Sequence, residues 1–354
     1  MRSIKIEKVC IITMNWFGGI EKYYQKAFKK YCSVCDIIYY PSIIDIYLVR
    51  KIKQFLKLKE FERIIPSNIK DNLLNKEFRN RLFEKLKTKY NLIFIIKGDY
   101  LDKELLRELK EFHKAIYAIY FIDNPFWALG KERMYLPTII DTLPLYDYIF
   151  SFDTYYLPLL KKLSMNDNVY HLPFASDLDY YYPINKIKNE YIYNISFVGS
   201  ATYEREKFFS ELSESFSIHI FGNCWDKKLF KDTINKIYSS KEVNEIFNNT
   251  KINLNLNVLN SIYGTNMRTF EIISSGGFLL NDYKLEIEEL FKINQDLVCY
   301  NDIFDLKEKI NYYLKNESLR LEIAKNGYNT LLNNHTYNHR VEYLLRIFQK
   351  NGKE

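Results

Sequence analysis

Short apolar segments alternate with amphipathic ones along the first half of the chain. The apolar segments are six or seven residues long and rich in Val, Ile, Tyr and Phe, as buried parallel strands are. They are Val9–Met14, Val34–Tyr40, Leu92–Lys97, Ala115–Phe121 and Asp147–Phe152. Helical spacing of apolar residues occurs in Asp102–Phe112 and Thr154–Leu163. Strands that alternate with helices predict βαβ units on a parallel sheet.

Residues 43–90 interrupt this alternation with mostly helical, lysine-rich sequence. One interpretation is a helical insertion with a solvated basic face. The alternative is an interfacial segment that holds the protein near a membrane or a lipid-linked acceptor. Acidic residues dilute the charge and favour the first interpretation; they are Glu60, Glu62 and Asp71.

Two prolines, Pro173 and Pro183, bracket a segment without periodicity, which predicts a linker between domains. Beyond it, strands are predicted at Ile195–Val198, Ser217–Phe221, Ile252–Val258, Phe278–Asn281 and Leu297–Tyr300. Helices are predicted at Tyr203–Phe216, Val243–Phe247, Met267–Ser275, Leu285–Phe291 and from Ile303 to Gln349. These patterns predict an α/β fold in which two Rossmann-like domains face a central cleft and bind ligands at the carboxyl ends of the strands.

The chain length agrees with two domains. At 354 residues, 47% hydrophobic and 27% charged, the chain has the size and balance of two globular domains. We place the N-terminal domain at 1–182, with the insertion at 43–90, and the C-terminal domain at 183–335. Residues 336–354 form a final helix that could pack back on the N-terminal domain.

Charge and cysteine content narrow the class of protein. The net charge of +7 suits a ligand that contains pyrophosphate, or an anionic lipid surface. The absence of zinc-finger spacing, RNP-type segments and long basic runs argues against a nucleic-acid partner. No stretch reaches the roughly 18 apolar residues of a membrane span, and the five scattered cysteines are typical of reduced thiols. We therefore expect a cytoplasmic protein, with a peripheral contact at the inner face of the membrane as the alternative.

One candidate site follows the strand Ile195–Val198. The sequence Gly199-Ser200-Ala201-Thr202 leads into the predicted helix at Tyr203. A helix N-terminus offers backbone N–H groups and a positive dipole end, both suited to phosphate. Arg205 in the first turn could add a charge-assisted contact. Gly199, Ser200, Thr202 and Arg205 are therefore candidate ligand residues, and an ordinary turn is the alternative.

A second candidate site runs from Asn266 to Gly277. Arg268 and Glu271 are three residues apart on a predicted helix, so they share one face. A guanidinium suits a diphosphate, a carboxylate suits paired ribose hydroxyls, and Gly276-Gly277 allows a tight turn. The alternative is a surface ion pair followed by a glycine helix cap.

These motifs, in this order, resemble the CgeB-type family of spore-maturation and related bacterial glycosyltransferases. The resemblance covers about residues 190–350 and is looser upstream. Its C-terminal motifs are Gly199-Ser200 with Arg205, Phe221-Gly222-Asn223-Cys224-Trp225, Lys251–Asn255, Asn266–Glu271, Gly276-Gly277 and His335-Thr336-Tyr337 with Arg340. The looser ones are Lys97–Tyr100, Asp123-Asn124-Pro125 and Ser151-Phe152-Asp153.

The resemblance implies the GT-B fold and transfer of a sugar from a nucleoside-diphosphate donor to a glycan, lipid-linked or protein acceptor. It implies phosphate contacts at Gly199, Ser200 and Arg205, with Thr202 beside them, and base or ribose contacts at Gly222 and Asn223. Arg268 and Glu271 would hold diphosphate and ribose, Asn266 and Thr269 would belong to the same site, and Gly276-Gly277 would form the turn beneath. Alternatives are a non-catalytic sugar-nucleotide-binding assembly protein and a GT-B nucleotide-sugar epimerase.

The chain departs from one pattern of related retaining enzymes, which often carry two glutamates eight positions apart. Tyr263 stands eight positions before Glu271, so retaining and inverting outcomes both stay open. No Asp-x-Asp motif lies convincingly at a strand end, which favours transfer without a metal or other cofactor. The leaving diphosphate would then be neutralised by arginine and helix dipoles.

Acceptor-side candidates follow strands of the first half. Gly18 and Gly19 come after the first strand, where a glycine-rich loop can open toward a ligand. Asp123 follows another strand and could act as the general base on an acceptor hydroxyl, with Trp127 stacked on a sugar ring. Asp99 is a second candidate base. The alternatives are a routine connection after the first strand and an Asx turn at Asn124-Pro125.

Overall fold

A computed structural model describes most of the chain. The described residues are 5–15, 19–42, 66–98, 100–126, 135–184, 190–226, 228, 233–234, 236, 238–259 and 261–351. Three predicted site residues, Gly18, Asp99 and Trp127, lie outside these ranges, as does the part of the predicted insertion from 43 to 65.

The chain divides into two compact units. Unit 1 comprises Met1–Phe152, Tyr156–Leu172 and Val341–Glu354, and unit 2 comprises Asp153–Tyr155 and Pro173–Arg340. The sequence predicted the domain boundary after residue 182, whereas in the structure the main segment of unit 2 begins after Leu172. Hydrogen bonds explain the difference: Tyr182 N–H donates to Asn244 Oδ1 at 3.0 Å, inside unit 2.

Unit 1 is built on a parallel sheet of six strands in the order β2-β1-β3-β4-β5-β6. The strands are β1 Lys8–Met14, β2 Val34–Tyr40, β3 Leu92–Ile96, β4 Ile116–Phe121, β5 Tyr148–Ser151 and β6 Val169–His171. The helices are α1 Glu21–Phe28, α2 Ser67–Lys85, α3 Lys103–Phe112, α4 Tyr135–Thr142 and α5 Leu157–Ser164. The five predicted strands are confirmed, and β6 was missed because three residues are too few to show a period.

Unit 2 repeats this architecture with a parallel sheet in the order β12-β11-β10-β7-β8-β9. Its strands are β7 Tyr193–Val198, β8 His219–Phe221, β9 Thr233–Ile234, β10 Thr250–Asn255, β11 Leu279–Asp282 and β12 Val298–Tyr300. Its helices are α6 Tyr203–Ser213, α7 Ser240–Asn248, α8 Met267–Ser274, α9 Ile287–Leu290, α10 Ile303–Lys315 and α11 Glu317–Asn334. The last helix, α12 Tyr337–Asn351, begins in unit 2, and its Phe348 packs on Tyr148 and Phe150 of unit 1.

Strand β10 carries alternating apolar and Asn residues, a pattern typical of a strand with one wet face. Both faces are nevertheless buried: Asn253 and Asn255 are each 1% exposed. The amide of Asn253 donates to the carbonyl oxygen of Phe247 at 3.2 Å, so its polar group is satisfied inside the protein. None of the helices in the described ranges is both long and apolar enough to cross a bilayer.

Candidate functional site

The carboxyl ends of β7, β8, β10 and β11 lie along one edge of the unit 2 sheet, because these strands are parallel neighbours. The loops that leave these ends carry Gly199–Thr202, Gly222–Asn223 and Asn266. Parallel α/β sheets bind their ligands at this edge. The structure thus brings most of the predicted nucleotide-site residues to one place.

The loops after β7 and β8 are joined through backbone contacts. Gly199 N–H donates to the carbonyl oxygen of Phe221 at 2.9 Å, and Ala201 N–H donates to that of Asn223 at 2.9 Å. Gly222 has φ of +148°, and a Cβ there would lie 2.1 Å from the oxygen of Gly199. Only glycine fits this position, because the two backbones approach so closely.

Helix α6 begins at this junction. Thr202 is its N-cap: the side-chain oxygen accepts a hydrogen bond from Arg205 N–H at 3.3 Å. The Arg205 guanidinium donates to the carbonyl oxygen of Ser200 at 3.0 Å and to that of Leu256 at 2.7 Å. Burial lowers the pKa of Arg205 to about 10, so it stays charged at neutral pH. Arg205 therefore fastens the loops after β7 and β10 to each other, a role that the sequence did not indicate.

Helix α8 is held by a buried set of polar side chains, here called the amide network. Its members are Asn255, Asn257, Asn266, Thr269, Asn281 and Asp282. Asn266 caps α8 by accepting from Arg268 N–H at 2.9 Å, and its own N–H donates to Asn257 Oδ1 at 2.7 Å. The network fixes the position of the N-terminus of α8. Asn255, Asn257, Asn281 and Asp282 were not among the predicted site residues, although the repeated Asn of β10 was a visible signal.

Arg268 and Glu271 form an ion pair on one face of α8, as the spacing predicts. The carboxylate side chain is 3% exposed and the guanidinium side chain 27%, so the pair does not lie on the open surface. Arg268 Nε donates to the carbonyl oxygen of Val198 at 3.2 Å, and the guanidinium carbon lies 5.9 Å from the Phe247 ring centre. Burial raises the pKa of Glu271, while Arg268 and a hydrogen bond from Tyr181 oppose that shift.

The double glycine lies at the other end of α8. Gly276 has φ of +71°; Gly276 N–H donates to the carbonyl oxygen of Ile273 at 3.0 Å, and Gly277 N–H donates to that of Ile272 at 3.1 Å. This pattern is a Schellman cap, so the alternative of a glycine helix cap is confirmed. Eight helical residues separate it from Asn266 by about 12 Å, and it precedes the amino end of β11. The double glycine is therefore not brought to the edge that carries Gly199 and Gly222.

The described acceptor-side candidates lie after strands of unit 1. Asp123 follows β4, is half-exposed, and its Oδ2 lies 3.4 Å from Lys97 Nζ. Asn124 Oδ1 accepts from Phe126 N–H at 2.8 Å, so the Asx turn is present as well. No group of three or more metal-ligating side chains occurs within the described part of the chain.

Gly19 follows β1, and a Cβ there would lie 2.0 Å from Glu21 Oε2. Glu21 is 1% exposed, its Oε1 accepts from the Tyr39 hydroxyl at 3.3 Å, and burial raises its pKa. The sequence indicated no role for this buried carboxyl, which lies at the carboxyl edge of the unit 1 sheet.

Comparison with known proteins gives a family match and a fold. Residues 205–346, less than half of the chain, match the family described as glycosyl transferase-like. No curated protein sequence is significantly similar to the chain.

Similar solved structures cover nearly the whole chain. Sucrose-phosphate synthase from Thermosynechococcus elongatus is 9% identical with a TM-score of 0.70, covering 98% of this chain and 99% of that one. A glycosyltransferase from Rickettsia africae ESF-5 is 12% identical with a TM-score of 0.65, covering 98% of each chain. Anabaena Alr3699/HepE in complex with UDP and glucose is 8% identical with a TM-score of 0.64, covering 96% of this chain and 99% of that one. The chain therefore has the two Rossmann-like units of the GT-B fold, and the glycosyl transferase-like match falls mainly on its second unit.

Proposed function

We propose that the chain is a glycosyltransferase, of the CgeB type that its motifs resemble, and that it binds a nucleoside-diphosphate sugar at the carboxyl edge of the unit 2 sheet. The observation that carries this proposal is the enclosed Arg268–Glu271 pair beside the end of β7. An ion pair enclosed at a ligand-binding edge is costly to desolvate, and function is a common reason for such a cost. The glycosyl transferase-like match includes both residues.

The leaving diphosphate would be stabilised by Arg268 and by the N-termini of α6 and α8. These groups supply positive charge and N–H donors at fixed positions, which is the arrangement that stabilises charge developing on a leaving group. Glu271 would hold the guanidinium in place and accept ribose hydroxyls. On this proposal transfer needs no metal ion, and activity would survive treatment with EDTA.

UDP is the nucleotide to test first, because the similar Anabaena protein was solved in complex with UDP and with UDP-glucose. We propose a glycan, a lipid-linked intermediate or a protein as the sugar acceptor. Asp123 stays our candidate base, and Asp123→Asn should slow transfer without weakening UDP binding.

The proposal is tested by titrating UDP into the full chain and into Arg268→Ala, with Arg107→Ala as the matched control. Arg107 is an exposed arginine of α3 in unit 1. Loss of a hydrogen bond to a charged group costs about 1.5–3 kcal/mol, so Arg268→Ala should weaken UDP binding by about tenfold to a hundredfold. Arg107→Ala should bind UDP like the unaltered chain. If no nucleoside diphosphate binds, or if both variants weaken equally, the proposal fails.

Binding without transfer would favour a sugar-nucleotide-binding assembly protein. Incubation with UDP-glucose distinguishes the two functions. A transferase releases UDP slowly even when water is the acceptor, and this release should be lost in Arg268→Ala.

A further inference from the structure

Unit 2 contains a cavity of about 330 Å³ at the opposite edge of its sheet. It is lined by Thr250 and Lys251 at the start of β10, by Phe278 just before β11, and by the double glycine. A strand of six residues spans about 20 Å, so Thr250 and Lys251 lie about the length of β10 from the carboxyl edge of the sheet. Its volume is in the range of small-molecule sites.

The charge of the cavity is positive. Lys251 and Arg320 line it, and of the described residues that line it, none is acidic. Glu317, one helical turn before Arg320, is the acidic group whose charge acts on that arginine, and it is exposed to solvent. An anion inside the cavity would therefore meet two cations and no lining carboxylate.

Arg320 is buried and anchored in the wall of this cavity. The residue is 2% exposed, and its Nη1 donates to the carbonyl oxygens of Tyr313 and Leu314, which anchor it at the end of α10. Burial lowers its pKa, with Tyr191 and Glu317 opposing. Within the described residues, the hydrogen bonds of this buried guanidinium go to neutral carbonyl oxygens. Burying its charge is costly, and a bound anion would offset that cost.

The other groups that line the cavity indicate the chemistry of the part of the ligand that does not carry the negative charge. The hydroxyl of Thr250 donates to Ile246, and the amide of Asn248 donates to Asn244 and Tyr182, so these polar groups are engaged within the protein. The remaining wall is largely apolar, and its aromatic side chains are Tyr191, Phe247 and Phe278. A phosphate carries a charge of about −1.5 to −2 at neutral pH, which matches one arginine and one lysine.

We propose that this cavity is a second ligand site, and that it takes a small organic phosphate with its phosphate on Arg320 and Lys251 and its body against Phe247 and Phe278. The site is distinct from the nucleotide site, although the two adjoin at Phe247. It shares two elements with it, since α8 joins the double glycine to Arg268 and the Phe247 ring lies beneath the Arg268 guanidinium.

The test measures the affinity of phenyl phosphate for the full chain by calorimetry, with and without saturating UDP. Inorganic phosphate and phenol, which represent the two parts of that ligand, are titrated separately. Phenyl phosphate should bind more tightly than either part and should still bind when UDP is present. Displacement by UDP would assign the phosphate to the nucleotide site and overturn the proposal, and so would a lack of phenyl phosphate binding. A chain that binds phenyl phosphate but no UDP would keep this proposal and sink the proposed function.

Two variants locate the ligand. Lys251→Gln should weaken phenyl phosphate binding by about tenfold, the loss expected for one charge-assisted hydrogen bond. The matched control Lys325→Gln, at an exposed position on α11 outside the cavity lining, should leave binding unchanged. Equal affinity in Lys251→Gln and Lys325→Gln would overturn the proposal.

Discussion

The close approach of the two loops at Gly199 and Gly222 makes Gly222→Ala the most informative single substitution in unit 2. The new methyl group would lie 2.1 Å from the oxygen of Gly199 and 2.6 Å from its carbonyl carbon. These are backbone atoms of a loop that is also hydrogen-bonded to Phe221 and to the Trp225 indole, so the clash cannot be relieved by turning a side chain. The loop after β7 must move by about 1 Å for ordinary contact to be restored.

Two costs add at this position. An alanine at φ of +148° is in a region that glycine alone adopts freely, which costs about 1–3 kcal/mol. Overpacking a close contact costs about 1–3 kcal/mol more. The free energy of unfolding of unit 2 should therefore fall by about 2–6 kcal/mol, which lowers Tm by about 5–20 °C for a unit of this size.

The assay is thermal unfolding followed by intrinsic fluorescence, to which Trp225 beside Gly199 contributes. Ser200→Ala is the control, since Ser200 is exposed in the same loop and its loss should change stability by less than about 0.5 kcal/mol. UDP affinity should fall in Gly222→Ala, because the displaced loop carries the N-terminus of α6. A Gly222→Ala variant with unchanged Tm would refute the reasoning about this junction.

Two further predictions follow from burial. Of the five cysteines, Cys224 alone is exposed, so one thiol of the native chain should react quickly with a maleimide. UDP should slow that reaction if the nucleotide occupies the adjacent loop. Labelling of several thiols at equal rates would contradict the fold. Burial and Arg340 lower the pKa of His335 to about 3, so the native state holds it neutral while the unfolded chain protonates it below about 6.5. Unfolding then takes up a proton, and the free energy of unfolding should fall by about 1.4 kcal/mol per pH unit as the pH drops from 6 toward 4. This dependence on pH should weaken in His335→Gln. An unchanged dependence would contradict its assignment to His335.

Much of the fold could be predicted from the sequence because apolar segments of strand length alternate with amphipathic segments along the chain. Val34–Tyr40 was predicted at its observed bounds, and the shared face of Arg268 and Glu271 followed from helical spacing alone. These features depend on local periodicity, which a single sequence displays directly.

Features that depend on contacts between distant segments could not be predicted. The tie from Arg205 to the carbonyl oxygen of Leu256 joins residues 51 positions apart, and the residue type alone suggested a phosphate contact instead. The double glycine was placed in the nucleotide site because glycine serves both ligand loops and helix caps. Only the direction of α8, from the carboxyl edge back to the amino edge, separates the two roles.

The most direct test of the central claim is a crystal structure of the chain soaked with UDP. We predict density for the nucleotide at the carboxyl edge of the unit 2 sheet, with the diphosphate within hydrogen-bonding distance of Arg268 and of the N-terminus of α6. Density for UDP in the cavity beside Lys251 and Arg320, or in unit 1, would contradict the account.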